Sequence, residues 1–197
     1  MKMQFLSAGI LLLSFFVLSS CSKDDDKATP TPPVVTLQSK VATNIDGDVA
    51  AKDLYTFYSL ADNKVIPNSD SATTKWDIGF KATTIIINGG SSGPGKGEAQ
   101  VITGVYNNLV EAPATGYKTD AAATKAITGW YSYNMSTHII TPVAGAIIVL
   151  KTATGNYAKL EVTSYYKNSP ATPDDKSERR YYNFRYVYQA DGSRNFK

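Results

Sequence analysis

The chain holds a single cysteine, Cys21, and a single histidine, His138, in 197 residues. One thiol excludes an intramolecular disulfide, and with one imidazole beside it a Cys/His metal cluster is excluded too. A Ser-His-Asp or Cys-His catalytic arrangement would have to use His138 or nothing. Net charge is also slight, +3. The lysines are scattered and form no basic stripe, so nucleic acid is not an expected partner. The apolar run from Phe5 to Leu18 falls short of the roughly 20 residues that a membrane-spanning helix needs.

That short run has another use. Lys2 precedes it and Leu18-Ser19-Ser20-Cys21 closes it, which reads as a signal peptide over residues 1–20, removed on export. The closing residues resemble the lipobox of bacterial lipoproteins, in which the cysteine is diacylated and becomes the first residue of the mature chain. Acyl chains contribute about 0.8 kcal/mol per buried CH₂, so lipidated Cys21 would hold the protein to a membrane. Met1 and Met3 leave with the leader, and Met135 remains as the one methionine of the mature chain. Ser22-Lys23-Asp24-Asp25-Asp26 resembles the acidic signal that sends some Gram-negative lipoproteins to the cell surface, and it reads equally as a solvated spacer. Lys27 to Val35, KATPTPPVV, continues it as an extended Thr/Pro linker. Residues 21–36 are therefore spacer, and 37–197 the folded domain.

Glycines punctuate IIINGGSSGPGKGEAQV, and Gly90, Gly95 and Lys96 fall on the spacing of a phosphate loop. Gly97 stands where that loop needs a hydroxyl, and EAQVITGVY alternates as a strand where a helix should begin. An exported protein also meets no cytoplasmic ATP or GTP. The stretch is instead expected to be a tight turn between strands, with glycine permitting positive φ.

From about Leu37 the pattern is strand-like. Ala158, Leu160 and Val162 alternate with Lys159, Glu161 and Thr163, and Tyr182, Phe184, Tyr186 and Tyr188 alternate with Asn183, Arg185 and Val187. Asp62-Asn63, Thr154-Gly155-Asn156 and Asp191-Gly192 supply turns. Only Asp120 to Ile127, DAAATKAI, predicts a short helix, with Asp120 as N-cap. The expected fold is all-β: one antiparallel domain, sandwich-like and half-open.

Several motifs recur in one order: Trp76-Asp77-Ile78-Gly79-Phe80, the Asn88-Gly89-Gly90 to Gly97 loop, Gly129-Trp130, Tyr157-Ala158-Lys159-Leu160, Ser164-Tyr165-Tyr166 and Phe184-x-Tyr186-x-Tyr188. Together they resemble the HmuY family of surface lipoproteins, whose best-known members are haemophores. The resemblance covers roughly Leu54 to Phe196. It implies an all-β fold that grips one haem, or a related porphyrin, at its edge. It also implies a lipid-anchored place on the outer membrane facing the exterior, host haemoproteins as a source, and delivery to a TonB-dependent outer-membrane receptor.

By the same resemblance one axial ligand of the haem iron lies shortly after the Gly-Trp pair, which places it at Met135. The family's other ligand lies in a longer segment before that pair. Here the corresponding span, Tyr117 to Thr128, is short and has neither His nor Met. His138 is the alternative donor. Three residues apart on a strand, Met135 and His138 would face opposite ways about 10 Å apart, whereas donors across one iron lie about 4 Å apart. One of them is therefore expected to ligate, with water, tyrosine or nothing opposite. Trp130, Tyr131 and Tyr133 surround them and could line a porphyrin face, with Arg179, Arg180 or Arg185 on its propionates. A second reading is a surface binding or scaffold module on the same fold that recognises protein or glycan. Enzymatic function is not expected: Asp174-Asp175 lies in a Pro-rich loop with no second carboxyl placed opposite it.

Overall fold

Period-two patterning becomes eleven antiparallel strands in the computed structural model, which describes residues 37–48 and 53–197. The leader over residues 1–20, the anchor Cys21 and the spacer up to residue 36 lie outside the described residues. In chain order the strands are β1 (Gln38–Asp46), β2 (Thr56–Ser59), β3 (Lys64–Ile66), β4 (Ile78–Lys81), β5 (Thr84–Ile87), β6 (Glu98–Thr103), β7 (Tyr131–Asn134), β8 (Ile139–Pro142), β9 (Ala146–Lys151), β10 (Tyr157–Tyr166) and β11 (Arg179–Gln189). They form a five-stranded sheet β1-β11-β10-β9-β6, a four-stranded sheet β3-β2-β4-β5, and a separate two-stranded ribbon β7-β8. Among the described residues no helix is long and apolar enough to cross a membrane.

The two larger sheets meet through the faces that alternation marks. Ala158, Leu160 and Val162 of β10 and Tyr182, Phe184, Tyr186 and Tyr188 of β11 are all buried in one core with Tyr58, Ile78 and Phe80. Phe80 lies 4.4 Å from Tyr182 between ring centroids, and Tyr58 meets Phe184 edge-on at 5.4 Å. The tyrosines add a polar handle to this apolar area. Tyr182 donates its hydroxyl to the Ala82 carbonyl (2.7 Å), and Tyr186 donates to that of Leu60 (2.8 Å). Each ring of the large sheet thereby reaches a turn of the small one.

Two local expectations yield to tertiary contacts. No helix forms over Asp120–Ile127. Eight residues are too few for a helix to persist without packing, and Ala126 and Ile127 are drawn extended into the core, where Ile127 bridges Ile85. Asp120 caps no helix; its buried carboxylate accepts the backbone N–H groups of Ile87 (3.0 Å) and Ala126 (2.8 Å).

The glycine stretch is likewise no tight turn. It carries the chain from β5 in the small sheet to β6 in the large one. Of the glycines between these strands, only Gly90 has positive φ, +61°. The others allow close approach: Gly93, Gly95 and Gly97 to Asn88, and Gly89 to Gly97. A Cβ on Gly89 would sit 2.1 Å from the Gly97 carbonyl oxygen, and one on Gly97 would sit 2.6 Å from that of Asn88.

Lys159 lies on the face opposite Leu160, as the alternation has it, yet it is only 4% exposed. Tyr106 and Phe196 cover it, 4.5 and 5.7 Å from its ammonium to the ring centroids. Its Nζ donates to the Tyr106 and Leu109 carbonyls, each at 2.8 Å. Burial, with a smaller push from Arg185, holds its pKa below the ordinary lysine value.

Candidate functional site

The ribbon β7–β8 is the part of the fold that carries the candidate donors. Its register pairs Tyr131 with Pro142, Ser132 with Thr141, Tyr133 with Ile140 and Asn134 with Ile139. Asn134 then stops the strand. Its side-chain oxygen accepts the N–H groups of Ser136 (2.9 Å) and Thr137 (3.1 Å), the habit of asparagine that builds turns. His138 closes the turn with φ of +57°.

Met135 and His138 therefore stand at the two ends of one four-residue turn. The expectation that they sit on a strand, facing opposite ways, is overturned by the Asn134 side chain.

The structure does not gather all the candidate residues at that turn. Met135 is 80% exposed and Tyr133 is 50% exposed. The Tyr133 hydroxyl makes a short hydrogen bond with His138 Nδ1. Trp130 lies instead at the root of the ribbon, 2% exposed. Its indole N–H donates to the Thr83 carbonyl (3.1 Å), and its ring packs on Tyr131, Tyr165 and Tyr182 at 4.8, 5.9 and 5.3 Å. Tyr131 is half-buried beside it. The root is further fixed by the Val143 N–H on the Trp130 carbonyl (2.9 Å) and by Ile140 N–H on the Tyr166 hydroxyl (2.9 Å).

A groove of about 740 Å³ runs along the tip, between His138 and Ile139 on one side and Ala171, Pro173, Asp174 and Asp175 on the other. A smaller recess of about 360 Å³ lies at the root, beside Lys125, Gly129, Trp130 and Tyr131. Two of the arginines proposed for propionates are otherwise engaged: Arg180 pairs with Asp48, and Arg185 pairs with Glu161 at 2.6 Å. Asp174, on the groove wall, accepts the Ser177 hydroxyl at 2.7 Å, which holds its carboxyl below the usual range. Among the described residues no three His, Cys, Asp or Glu side chains gather as a metal site. What the tip offers an iron is a thioether sulfur and an imidazole nitrogen, both established haem-ligand types. Those two residue types fit the group.

One signal of the site lies in plain view in the sequence. Residues 126–150 contain no Asp, Glu, Lys or Arg, in a chain that is 19% charged. Part of that stretch is the buried strand β9, but the ribbon is open to water and still uncharged.

Residues 51–148 match a family model described as HmuY protein. Among solved structures the chain is similar to the apo HmuY analogue of Tannerella forsythia, with a TM-score of 0.50 and 18% identity over 78% of this chain and 96% of that one. It is also similar to a candidate HmuY-like haem-binding protein of Bacteroides vulgatus, with a TM-score of 0.51 and 17% identity over 81% of this chain and 95% of that one. At such identities the likeness is one of fold. No curated protein matches the chain.

Proposed function

The chain belongs to the HmuY-like family, and on that premise we propose that it is a surface lipoprotein, anchored through Cys21, that binds haem or a related porphyrin and passes it to a TonB-dependent receptor. The family is one of binding proteins rather than enzymes, and the reading asks no chemistry of the chain beyond holding and releasing a ligand. The observation that carries it is Met135. A methionine ordinarily fills gaps in a core, yet this one is 80% exposed at the end of an uncharged ribbon, with an imidazole three residues away.

Haem, when bound, supplies an iron with two axial positions, and an axial thioether favours its ferrous form. Met135 is the first candidate to hold that iron and His138 the second. Tyr133 bears on the second role: its hydroxyl engages Nδ1 and leaves Nε2 as the nitrogen turned to other partners, and in the tautomer that carries the proton on Nδ1 that nitrogen has a free lone pair. Trp130 and Tyr131 serve as the rigid root that holds the tip in place, and the uncharged faces of the ribbon suit an apolar ring.

Titration with haemin before and after dithionite tests this reading. The wild type is expected to bind more tightly after reduction, with a sharpened Soret band. Met135→Ala is expected to abolish the reduced spectrum while His138→Ala leaves it nearly intact. If the two variants exchange behaviour, His138 is the donor. A wild type that shows only the broad band of free haemin ends the haem reading and leaves a protein- or glycan-binding module on the same fold.

A further inference from the structure

The two sides of the β7–β8 ribbon differ in the charge beside them. Directly paired residues of an antiparallel ribbon share a face. The register therefore puts Tyr131, Tyr133, Ile140 and Pro142 on one side and Ser132, Asn134, Ile139 and Thr141 on the other. Asn134, Ile139 and Thr141 line the tip groove, whose far wall carries Asp174 and Asp175. Both of those carboxylates are exposed, and no lysine or arginine lines the groove with them. The aromatic side runs from Tyr133, whose hydroxyl meets His138, to Tyr131 at the edge of the root recess. In that recess the charge is reversed: Lys125 lines it, and no Asp or Glu does.

Lys125 is a half-buried cation held by neutral atoms. Its Nζ donates to the Ser92 hydroxyl oxygen (3.2 Å) and the Ala121 carbonyl (3.1 Å), with the Ser91 hydroxyl oxygen at 3.5 Å. Among the described residues no carboxylate pairs with it. Thr83, Thr84, Thr124 and Thr128 line the same recess. An ammonium without a counter-charge, beside hydroxyl donors, suits a carboxylate, whose hydrogen bonds are strengthened by charge.

We propose that the root recess, through Lys125, seats the acid groups of the bound porphyrin, whose ring lies along Tyr131 and Tyr133 and not in the tip groove. The inference rests on the haem reading above and names where the propionates go. The arginines leave that role open: Arg180 and Arg185 are paired with Asp48 and Glu161, and Arg179 lines neither cavity. Tyr131 and Tyr133 stand two residues apart on one face, about 7 Å along the strand, and offer a flat ring aromatic surface between the tip and the recess. On the other side Asp174 and Asp175 repel acid groups. Attraction on one side of the ribbon and repulsion on the other select a single placement of a ligand that carries its acids on one edge.

The test titrates the full chain, under dithionite, with haemin and with haemin dimethyl ester, which has lost both negative charges, and follows the Soret band. Lys125→Gln is expected to weaken haemin binding about threefold to fivefold at low salt, the scale of one charge pair near a surface. It should alter binding of the ester less than about twofold, and the difference should shrink as salt is raised. Lys125→Arg should restore haemin binding. The double variant Asp174→Asn, Asp175→Asn is expected to leave haemin affinity within about twofold at physiological salt, where charges on the far side of the ribbon are screened. Lys125→Gln weakening haemin and ester alike, or weakening neither, overturns the inference and leaves haem binding standing. So does a marked tightening of haemin binding in the double variant, which would place the acid edge in the groove. The absence of any saturable spectrum in the wild type removes both readings.

Discussion

Asn88→Ala is expected to destabilise the domain by about 4 kcal/mol, on the scale of about 1–3 kcal/mol for each buried polar group left without its partner. Asn88 is fully buried at the start of the glycine crossover. Its amide donates to the Thr73 and Trp76 carbonyls, both at 2.8 Å, and its side-chain oxygen accepts the Gly95 N–H at 2.9 Å. Its own backbone oxygen accepts Gly97 N–H at 2.8 Å. Truncation leaves the buried Trp76 carbonyl and the part-buried Thr73 carbonyl and Gly95 N–H without this partner, and opens a void among them. Lys96→Ala is the contrast. Lys96 is exposed in the same loop, so removing its ammonium should move stability by less than about 0.5 kcal/mol. No saturable magnesium-dependent ATP or GTP binding is expected of the wild type. Urea unfolding of both variants checks the pair. An Asn88→Ala loss below about 1 kcal/mol would show that the crossover does not depend on this side chain.

Acid is expected to stabilise this protein through Asp77, against the common trend. Asp77 follows the buried Trp76 and is itself buried. Its carboxylate accepts the N–H groups of Leu60 (2.9 Å) and Ala153 (3.1 Å), one from a turn of each large sheet. Burial outweighs those two bonds and pushes its pKa up from 3.8 to about 6. The folded state then holds its proton more tightly than the unfolded state does. The contribution is fully present below the unfolded value and is lost as pH rises through about 6. A shift of about two units corresponds to about 3 kcal/mol as an upper figure. Asp77→Asn removes the titration while keeping the shape. The difference in unfolding free energy between wild type and Asp77→Asn should therefore change by up to that amount between about pH 7 and pH 4. Parallel pH profiles for the two proteins would show that the carboxyl is not held neutral by burial.

Alternation made β10 and β11 legible before any coordinate, because one face of each is covered by the small sheet and the sequence must answer to it. The same alternation put Lys159 on the face opposite Leu160, where it lies, but did not foresee its burial. Periodicity assigns a residue to a face but is silent on what covers that face, and here the cover comes from Tyr106 and Phe196, far away in sequence. Asp120 misled for a related reason. A carboxylate before an alanine run is a fair helix cap locally, and only the distant Ile87 N–H shows its other use. The glycines of the crossover signalled their purpose poorly, since what they accommodate is the Asn88 backbone and side chain rather than a positive φ. At the ribbon, the residue types that could hold an iron were visible in the sequence, while their geometry was not. One asparagine decides it, and Asn134 looks like any other strand residue until its side chain is seen to cap Ser136 and Thr137.

The covered amine of Lys159 gives the protein a clock. Amine-acylating reagents reach a lysine only where water does, so exposed Lys96 should be labelled at once. Lys159 must wait until Tyr106, Leu109 and the Phe196 end of the chain lift from the back of the five-stranded sheet. Its labelling rate then measures how often that cover opens in the folded state, without any added probe. A rate that slows when ligand binds at the far-off ribbon would show that the two ends of the domain breathe together; an unchanged rate would show that they move apart and alone.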